Sequence, residues 1–277
     1  MKKNTNNYEI LEIKRIVSET KTIKTFIFHW EMKKEKIPKP GQFVMVWSFS
    51  GEYDEKPMSI SLIDIENDEI GVTVKNIGKF TENMHNLSVG DKIGVRGPYG
   101  NGFNLENLEN KNILAIGGGV GMAPIYCFTS YAKEKGANIG LVSASVTENE
   151  LLFDEKFNCD NVNTFTCTDD GSCGFKGYAS HRTEDLLEKS SYNMAVVCGP
   201  EIMMKGIFDL LEDYKIPSEY SMERYMKCAM GICGQCCVDS KGWRVCVEGP
   251  VFTNIQIKEI EEFGKYRRDA SGIKNEF

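Results

Sequence analysis

Residues 8–97 carry apolar positions at a period of two. "TFIFHW" alternates Phe26, Phe28 and Trp30, and "QFVMVW" places Phe43, Met45 and Trp47 on one face. "EIGVTVKNI" sets Ile70, Val72 and Val74 opposite Thr73 and Lys75, and "GDKIGVRGPYG" alternates again before a Gly/Pro turn. Such runs, separated by Pro-Gly, Val-Gly-Asp and Gly-Pro breaks, predict an antiparallel barrel or sandwich.

The texture changes near residue 111. "KNILAIGGGVGMAPIYCFTSYAKEKG" reads as an apolar strand, a glycine turn and a helix. "NIGLVSASV" reads as a strand, "NELLFDEKF" as a helix, "VNTFTCTD" as a strand, "TEDLLEKS" as a short helix and "NMAVVCGP" as a strand. "EIMMKGIFDLLEDY" then sets Met203, Ile207, Leu210, Leu211 and Tyr214 at helical spacing. Strands alternating with helices predict a parallel sheet covered on both faces. A cysteine-rich segment follows, and the tail after residue 255 has a weak helical pattern and a polar end expected to be disordered. The predicted division is a barrel over 1–106, an α/β domain over 107–215 and a small module over 216–277.

Composition narrows the class. An apolar share of 41% and a charged share of 26% over 277 residues are those of a globular protein. There is no run of eighteen apolar residues, so no membrane span is expected. The opening "MKKNTNNYEI" has lysines with no apolar stretch behind them, which argues against a secretory signal and for the cytoplasm. Thiols stay reduced there, so ten cysteines do not read as a disulfide framework. A net charge of −7 argues against nucleic acid as partner.

The cysteines then become informative. Cys127, Cys159, Cys167 and Cys173 are scattered and read as core or inert surface thiols. Cys228, Cys233, Cys236 and Cys246 stand in the spacing Cys-x4-Cys-x2-Cys-x9-Cys. This is a plant-type ligand spacing for a 2Fe–2S cluster, in which each iron takes two thiolates. "AMG" and "GQ" supply the small residues a tight loop needs, and "DSKGW" reads as the turn that returns Cys246. Cys237 adjoins Cys236 and points elsewhere if the backbone is extended, so it stays outside the ligand set. A structural zinc or unliganded core cysteines are the alternatives; zinc favours paired Cys-x2-4-Cys knuckles, of which only one is present.

In "ILAIGGGVGMAP", Gly117, Gly118, Gly119 and Gly121 join a buried strand to a helix, where a backbone without β-carbons and free helix-terminal amides suit a pyrophosphate. The stretch is not the strict G-x-G-x-x-G fingerprint, and a tight turn without ligand is the plain alternative. Cys198, Gly199 and Pro200 end a second strand that can face the same ligand. In the barrel half, Lys56 offers a cation, Ser59 a hydroxyl, and Gly78 to Thr81 a helix-entering turn; each suits a diphosphate, and each alone would be ordinary surface.

Taken in order, K-P-M-S, "VK…GKFT", G-P-Y-G, "GGGVGMAP" and "CGP" resemble the ferredoxin–NADP reductase-like flavoproteins. With the cysteine motif and "GPVF" behind them, and "CTDDGSCGFKGY" in the α/β part, residues 10–255 resemble the electron-transfer subunits of class 1B dihydroorotate dehydrogenases. The resemblance implies FAD contacts at Lys56, Pro57, Met58 and Ser59, at Thr73, Val74 and Lys75, and at Phe80 and Thr81, with the cluster on Cys228, Cys233, Cys236 and Cys246. It implies a pyridine nucleotide in the α/β domain. "LVSASVTENE" offers no base for a 2′-phosphate, which favours NAD; Asp169 or Asp170 is a candidate to bond a ribose, with a solvated loop carboxylate as the plain alternative. Two departures stand out: Lys56 replaces the family's motif arginine, and Phe80 stands where the family usually has glycine.

No acid–base or nucleophile constellation is evident, and His29, His85 and His181 are scattered. The resemblance therefore implies a conduit: an FMN-containing dihydroorotate dehydrogenase catalytic subunit, in a heterotetramer, supplies electrons that pass through the 2Fe–2S cluster and FAD to NAD. Alternatives from the sequence are the flavin/iron–sulfur subunit of a cytoplasmic hydrogenase, sulfhydrogenase or ferredoxin–NADP transhydrogenase, and a zinc-stabilised scaffold without catalysis.

Overall fold

The structure is a computed structural model that describes residues 8–33, 37–49, 55–157 and 161–277. Six strands, β1 (Glu9–Ser18), β2 (Ile23–His29), β3 (Phe43–Trp47), β4 (Lys56–Asp64), β5 (Glu69–Lys75) and β6 (Lys92–Tyr99), close into an antiparallel barrel in the order β1-β2-β5-β4-β3-β6. Phe26, Phe28, Trp30, Ile70, Val72 and Val74 share its core, as period two requires. α1 (Lys79–His85) follows β5 and adds Phe80 and Met84 to that core.

Two strands are less one-sided than the alternation implies. On β3 the interior is filled by Val44 and Val46, while Phe43 and Met45 face out and join the core of the rest of the chain. A strand buried on both faces shows which residues share a side, not which side faces in. On β5, Thr73 is buried too, its hydroxyl donating to Ser61 Oγ at 2.8 Å.

The second sheet has the order β10-β9-β8-β7-β11-β12-β13. It comprises β7 (Asn112–Gly118), β8 (Asn138–Ser145), β9 (Val162–Thr168), β10 (Phe175–Lys176), β11 (Met194–Cys198), β12 (Ser218–Ser221) and β13 (Val251–Thr253). All its pairings are parallel except that of β13, which returns antiparallel at the edge. The helices α2 (Met122–Glu134), α3 (Ala179–Lys189) and α4 (Glu201–Asp213) supply crossovers that bury the sheet. β12 and β13 come from beyond residue 215, so the sheet extends past the predicted domain limit. The cysteine-rich segment is thus an excursion between two neighbouring strands, rooted in the sheet at both ends.

Two local expectations are corrected. "NELLFDEKF" forms short 3-10 turns at Glu148–Glu150 and Asp154–Phe157 instead of one helix. Phe153 takes φ 65° there, its ring 4.4 Å from that of Tyr126, and Leu152 and Phe153 are buried in the core under α2. The non-local apolar contact overrides helix propensity. The tail is ordered: α5 (Asn254–Ile257) leads to buried Ile260 and Phe263, then to a hairpin of β14 (Tyr266–Arg268) and β15 (Lys274–Glu276). Tyr266 and Arg268 hydrogen-bond to Asp239, an anchor far away in sequence.

Cys127 and Cys167 are buried and Cys173 is partly so, while Cys159 lies outside the described residues. Among the described residues, no helix is long and apolar enough to cross a membrane.

Candidate functional site

The barrel opens where the sequence places its diphosphate motif. β4 and β5 pair over Ile60–Asp64 and Glu69–Val72, and the ladder stops there. Lys56, Pro57, Met58 and Ser59 remain paired with β3, while Thr73, Val74 and Lys75 remain paired with β2. The two strand halves therefore diverge and leave backbone on their facing edges for another partner. α2 packs on β4, and the turn Gly119–Gly121 touches β5, so the nucleotide domain lies at this opening. The residues fit an elongated diphosphate-bearing group: a strand edge on each side, with a lysine at the mouth.

The side chains divide the work. Lys56 to Ser59 are all half-exposed. The Lys56 ammonium sits 5.6 Å from the Tyr225 ring centre. Both Thr73 and Val74 are buried, Val74 in the barrel core and Thr73 on the opposite side of the strand against the Thr25 and Ser61 hydroxyls, so the backbone is what they offer a ligand. His85 Nε2 donates to the Val74 carbonyl at 2.9 Å, which fixes this strand end on α1. Lys75 is half-exposed and lies 3.6 Å from Glu150 of the nucleotide domain. Phe80 buries its ring in the barrel core, so the bulk of this side chain is kept out of the opening. The Thr81 hydroxyl accepts from the Ile77 and Gly78 amides at 2.9 and 3.0 Å and so shapes the helix entry.

At the glycine turn the four residues have different jobs. A Cβ on Gly117 would lie 2.8 Å from Met122 Cε, and one on Gly118 would lie 2.5 Å from Met203 Sδ. A Cβ on Gly121 would meet the Gly199 Cα at 2.6 Å. Gly121 thus lets the turn lie on the backbone that ends β11, while Gly117 and Gly118 leave room for the Met122 and Met203 side chains. Gly119 alone of the four adopts a left-handed φ, +53°, and a Cβ there would meet nothing within 4 Å. It is the glycine whose bare backbone faces open space. Cys198 ends β11 beside this turn, in register with Gly117, and Gly199 follows it. Burial pushes the Cys198 thiol up to about 12, so it stays protonated. Pro200 ends the turn and precedes α4.

The cysteine loop folds by backbone reversal. Ala229, Gly231 and Gly234 take φ of 59°, 77° and 73°, which turns successive amides inward. The Ile232 and Cys233 amides donate to Cys228 Sγ at 3.3 and 3.4 Å, and the Cys246 amide donates to Cys236 Sγ at 3.5 Å. The sulfurs associate two and two, Cys228 with Cys233 and Cys236 with Cys246. Partial burial works against ionisation of Cys228, but these amides outweigh it and bring the thiol down to about 6. Burial and the hydrogen bond with Cys236 push Cys246 up to about 12. Among the described residues, no three metal-ligating side chains converge on one point, whereas two cysteine pairs with inward amides offer the four sulfurs that a two-iron cluster takes. Cys237 pairs its backbone with Arg244 across the return turn.

Sequence reasoning missed the charged residues that hold this loop. Arg244 donates to Gly231 O at 3.1 Å and to Glu248. Arg224, just before the loop, is 3% exposed and bonds Glu201 at 2.6 and 3.0 Å and Glu262 at 2.5 Å. Glu262 also accepts the Asp239 amide at 2.9 Å. From the barrel, Arg96 reaches the Cys228 carbonyl at 2.8 Å. Apart from Glu248, four residues after Arg244, their partners are distant in the chain, so no local pattern announces them.

Comparison with known proteins agrees with this anatomy. Residues 223–258 match the family described as the iron–sulfur cluster binding domain of dihydroorotate dehydrogenase B, and residues 115–209 match the oxidoreductase NAD-binding domain. A probable dihydroorotate dehydrogenase B (NAD(+)) electron transfer subunit of Methanothermobacter thermautotrophicus is 51% identical over 95% of this chain and 96% of its own. One from Methanocaldococcus jannaschii is 45% identical over 96% and 97%. Among solved structures, an NADH-dependent reduced ferredoxin-NADP oxidoreductase superposes with a TM-score of 0.81 at 29% identity, covering 92% of this chain and 93% of that one. The ferredoxin reductase in carbazole 1,9a-dioxygenase, at 16% identity and a TM-score of 0.67, shares the fold over 77% of this chain and 68% of its own.

Proposed function

The chain belongs to the electron-transfer subunits of dihydroorotate dehydrogenase B, and from this premise we propose how its residues carry that work. It is an oxidoreductase subunit that relays electrons between a partner oxidising dihydroorotate, in pyrimidine biosynthesis, and NAD. The partner is an FMN-containing catalytic subunit, and the two form a heterotetramer in the cytoplasm. When bound, FAD exchanges a hydride with nicotinamide and single electrons with a 2Fe–2S cluster, which joins two-electron chemistry to one-electron transfer.

Lys56, Pro57, Met58 and Ser59 line one side of the flavin site, with Lys56 supplying positive charge to the diphosphate. The backbone of Thr73, Val74 and Lys75 lines the other side, and the entry of α1 at Phe80 and Thr81 closes the end. Gly119 admits the nucleotide, while Gly117, Gly118 and Gly121 let that turn lie against Cys198, Gly199 and Pro200. Cys228, Cys233, Cys236 and Cys246 hold the cluster in two pairs.

The observation that carries the reading is the four-cysteine loop whose amides donate to the Cys228 and Cys236 sulfurs and which Arg96 ties to the open barrel. The experiment is purification of the chain with and without its partner. Iron and flavin should accompany the chain, and dihydroorotate-dependent NAD reduction should appear only with the partner. Zinc in place of iron, absence of flavin, or dihydroorotate oxidation by the chain alone would overturn it. The kinship in fold to a ferredoxin-NADP oxidoreductase keeps a ferredoxin-linked partner as the second reading, and identifying what co-purifies separates the two.

A further inference from the structure

β6 carries a buried arginine that lies outside the residues assigned above to flavin and nucleotide. Arg96 is 6% exposed, in register with Met45 on β3, which is itself in register with Pro57 on β4. The guanidinium is thus two strands from the flavin diphosphate strand. Its Nε donates to Glu55 Oε2 at 2.7 Å, and its Nη2 pairs with Glu55 Oε1. Glu55 immediately precedes Lys56, and Tyr8 donates to the same carboxylate. The other edge of the guanidinium points at the cysteine loop. Nη1 donates to the Cys228 carbonyl at 2.8 Å and to Tyr99 Oη at 3.1 Å, and Nη2 donates to the Lys227 carbonyl at 3.3 Å. The Tyr8 and Tyr99 rings lie 5.8 and 5.3 Å from the guanidinium carbon.

We infer that Arg96 is a positioning residue that docks the first cluster ligand onto the flavin barrel and so governs electron exchange between the two cofactors. The inference rests on the relay reading above. One planar, permanently charged group spans the residue before the flavin strand and the backbone of Cys228. Only a rigid fork of five donors can hold a carboxylate and two carbonyls in fixed relation. Arg244 braces the loop from within its own module, and Arg224 ties it to the nucleotide domain and tail. Arg96 supplies the corresponding tie to the barrel. Electron exchange falls steeply with separation, so a loop free to lift from β6 exchanges more slowly even with both cofactors bound.

The test uses the full chain with flavin, iron and partner subunit. NADH supplies two electrons to the flavin, of which the cluster accepts one. Cluster reduction is read by freeze-quench electron paramagnetic resonance, flavin bleaching by stopped-flow absorbance, and loop docking by hydrogen exchange of residues 226–234. In Arg96→Met, loop exchange should accelerate about tenfold or more, the effect of losing charge-assisted hydrogen bonds. Cluster reduction should slow by a comparable factor while flavin bleaching keeps its native rate. Arg96→Lys, which keeps charge but cannot span both partners, should fall between. Native exchange and native cluster reduction in an iron-replete Arg96→Met overturn the inference. If Arg96→Met fails to retain iron, the same native behaviour in Arg96→Lys overturns it. If NADH does not reduce the cluster of the native protein, the relay reading fails on its own, and the exchange measurement still decides the docking role of Arg96.

Discussion

The proposed function separates packing from ligand binding at two positions of the glycine turn two residues apart, Gly121 and Gly119. In Gly121→Ala the new methyl would stand 2.6 Å from both Gly199 Cα and Gly199 N, and 2.7 Å from the Cys198 carbonyl carbon. These are backbone atoms of the neighbouring strand end, with no side-chain torsion to relieve the clash. β7 and β11 are bonded from Ile113 to Gly117 and from Met194 to Cys198, so the turn cannot retreat without disturbing that ladder. Overpacking of this kind costs about 1–3 kcal/mol. At roughly 2–4 °C per kcal/mol, the thermal midpoint should fall by several degrees. In Gly119→Ala the methyl enters open space, and the cost is the left-handed φ of +53°, about 1 kcal/mol. The midpoint should fall less, but the methyl would occupy the proposed approach to the pyrophosphate, and the apparent NADH affinity should drop about tenfold (~1.4 kcal/mol). Thermal unfolding with and without NADH, with stopped-flow flavin bleaching as a function of NADH, reads both effects. A Gly121→Ala variant as stable as the native chain, or a Gly119→Ala variant with native NADH affinity, would refute the division of roles.

Arg224→Met should destabilise the chain by about 3–5 kcal/mol, because it leaves the buried Glu201 and Glu262 carboxylates without their cation; thermal unfolding measures it. Cys237→Ser should keep the iron content and visible spectrum of the native chain, whereas alanine at Cys228, Cys233, Cys236 or Cys246 should abolish both, as metal analysis will show. Hydrogen bonds from Arg268 and Tyr266 hold the Asp239 carboxyl down to about 2. With its folded value depressed, this contribution to the terminal hairpin is complete above about pH 4 and disappears as pH falls toward 2. Asp239→Asn should reproduce that loosening at neutral pH, seen as faster tryptic cleavage after Arg267 and Arg268.

What could be read along the chain is what depends on near neighbours. Period-two alternation specifies strands because side chains alternate across a sheet, and it located Phe26, Phe28 and Val72 in the barrel core. Ligand spacing specifies the cysteine loop because a tight turn holds sulfurs only a few residues apart, and the structure reverses the backbone at Ala229, Gly231 and Gly234 between those residues. Long-range pairing carries no such trace. Nothing near Phe43 indicates that it faces away from the barrel core, and nothing near Tyr266 indicates that Asp239 awaits it. β12 and β13 flank the cysteine loop as partners in one ladder although 29 residues separate them, from Met222 to Pro250. Gly121 is required by Gly199, and the Cys228 carbonyl is held by Arg96, across spans that only folding brings together. Local geometry is encoded by local residue type; contacts between domains arise from burial and charge pairing summed over the whole chain, so they appear only once it is folded.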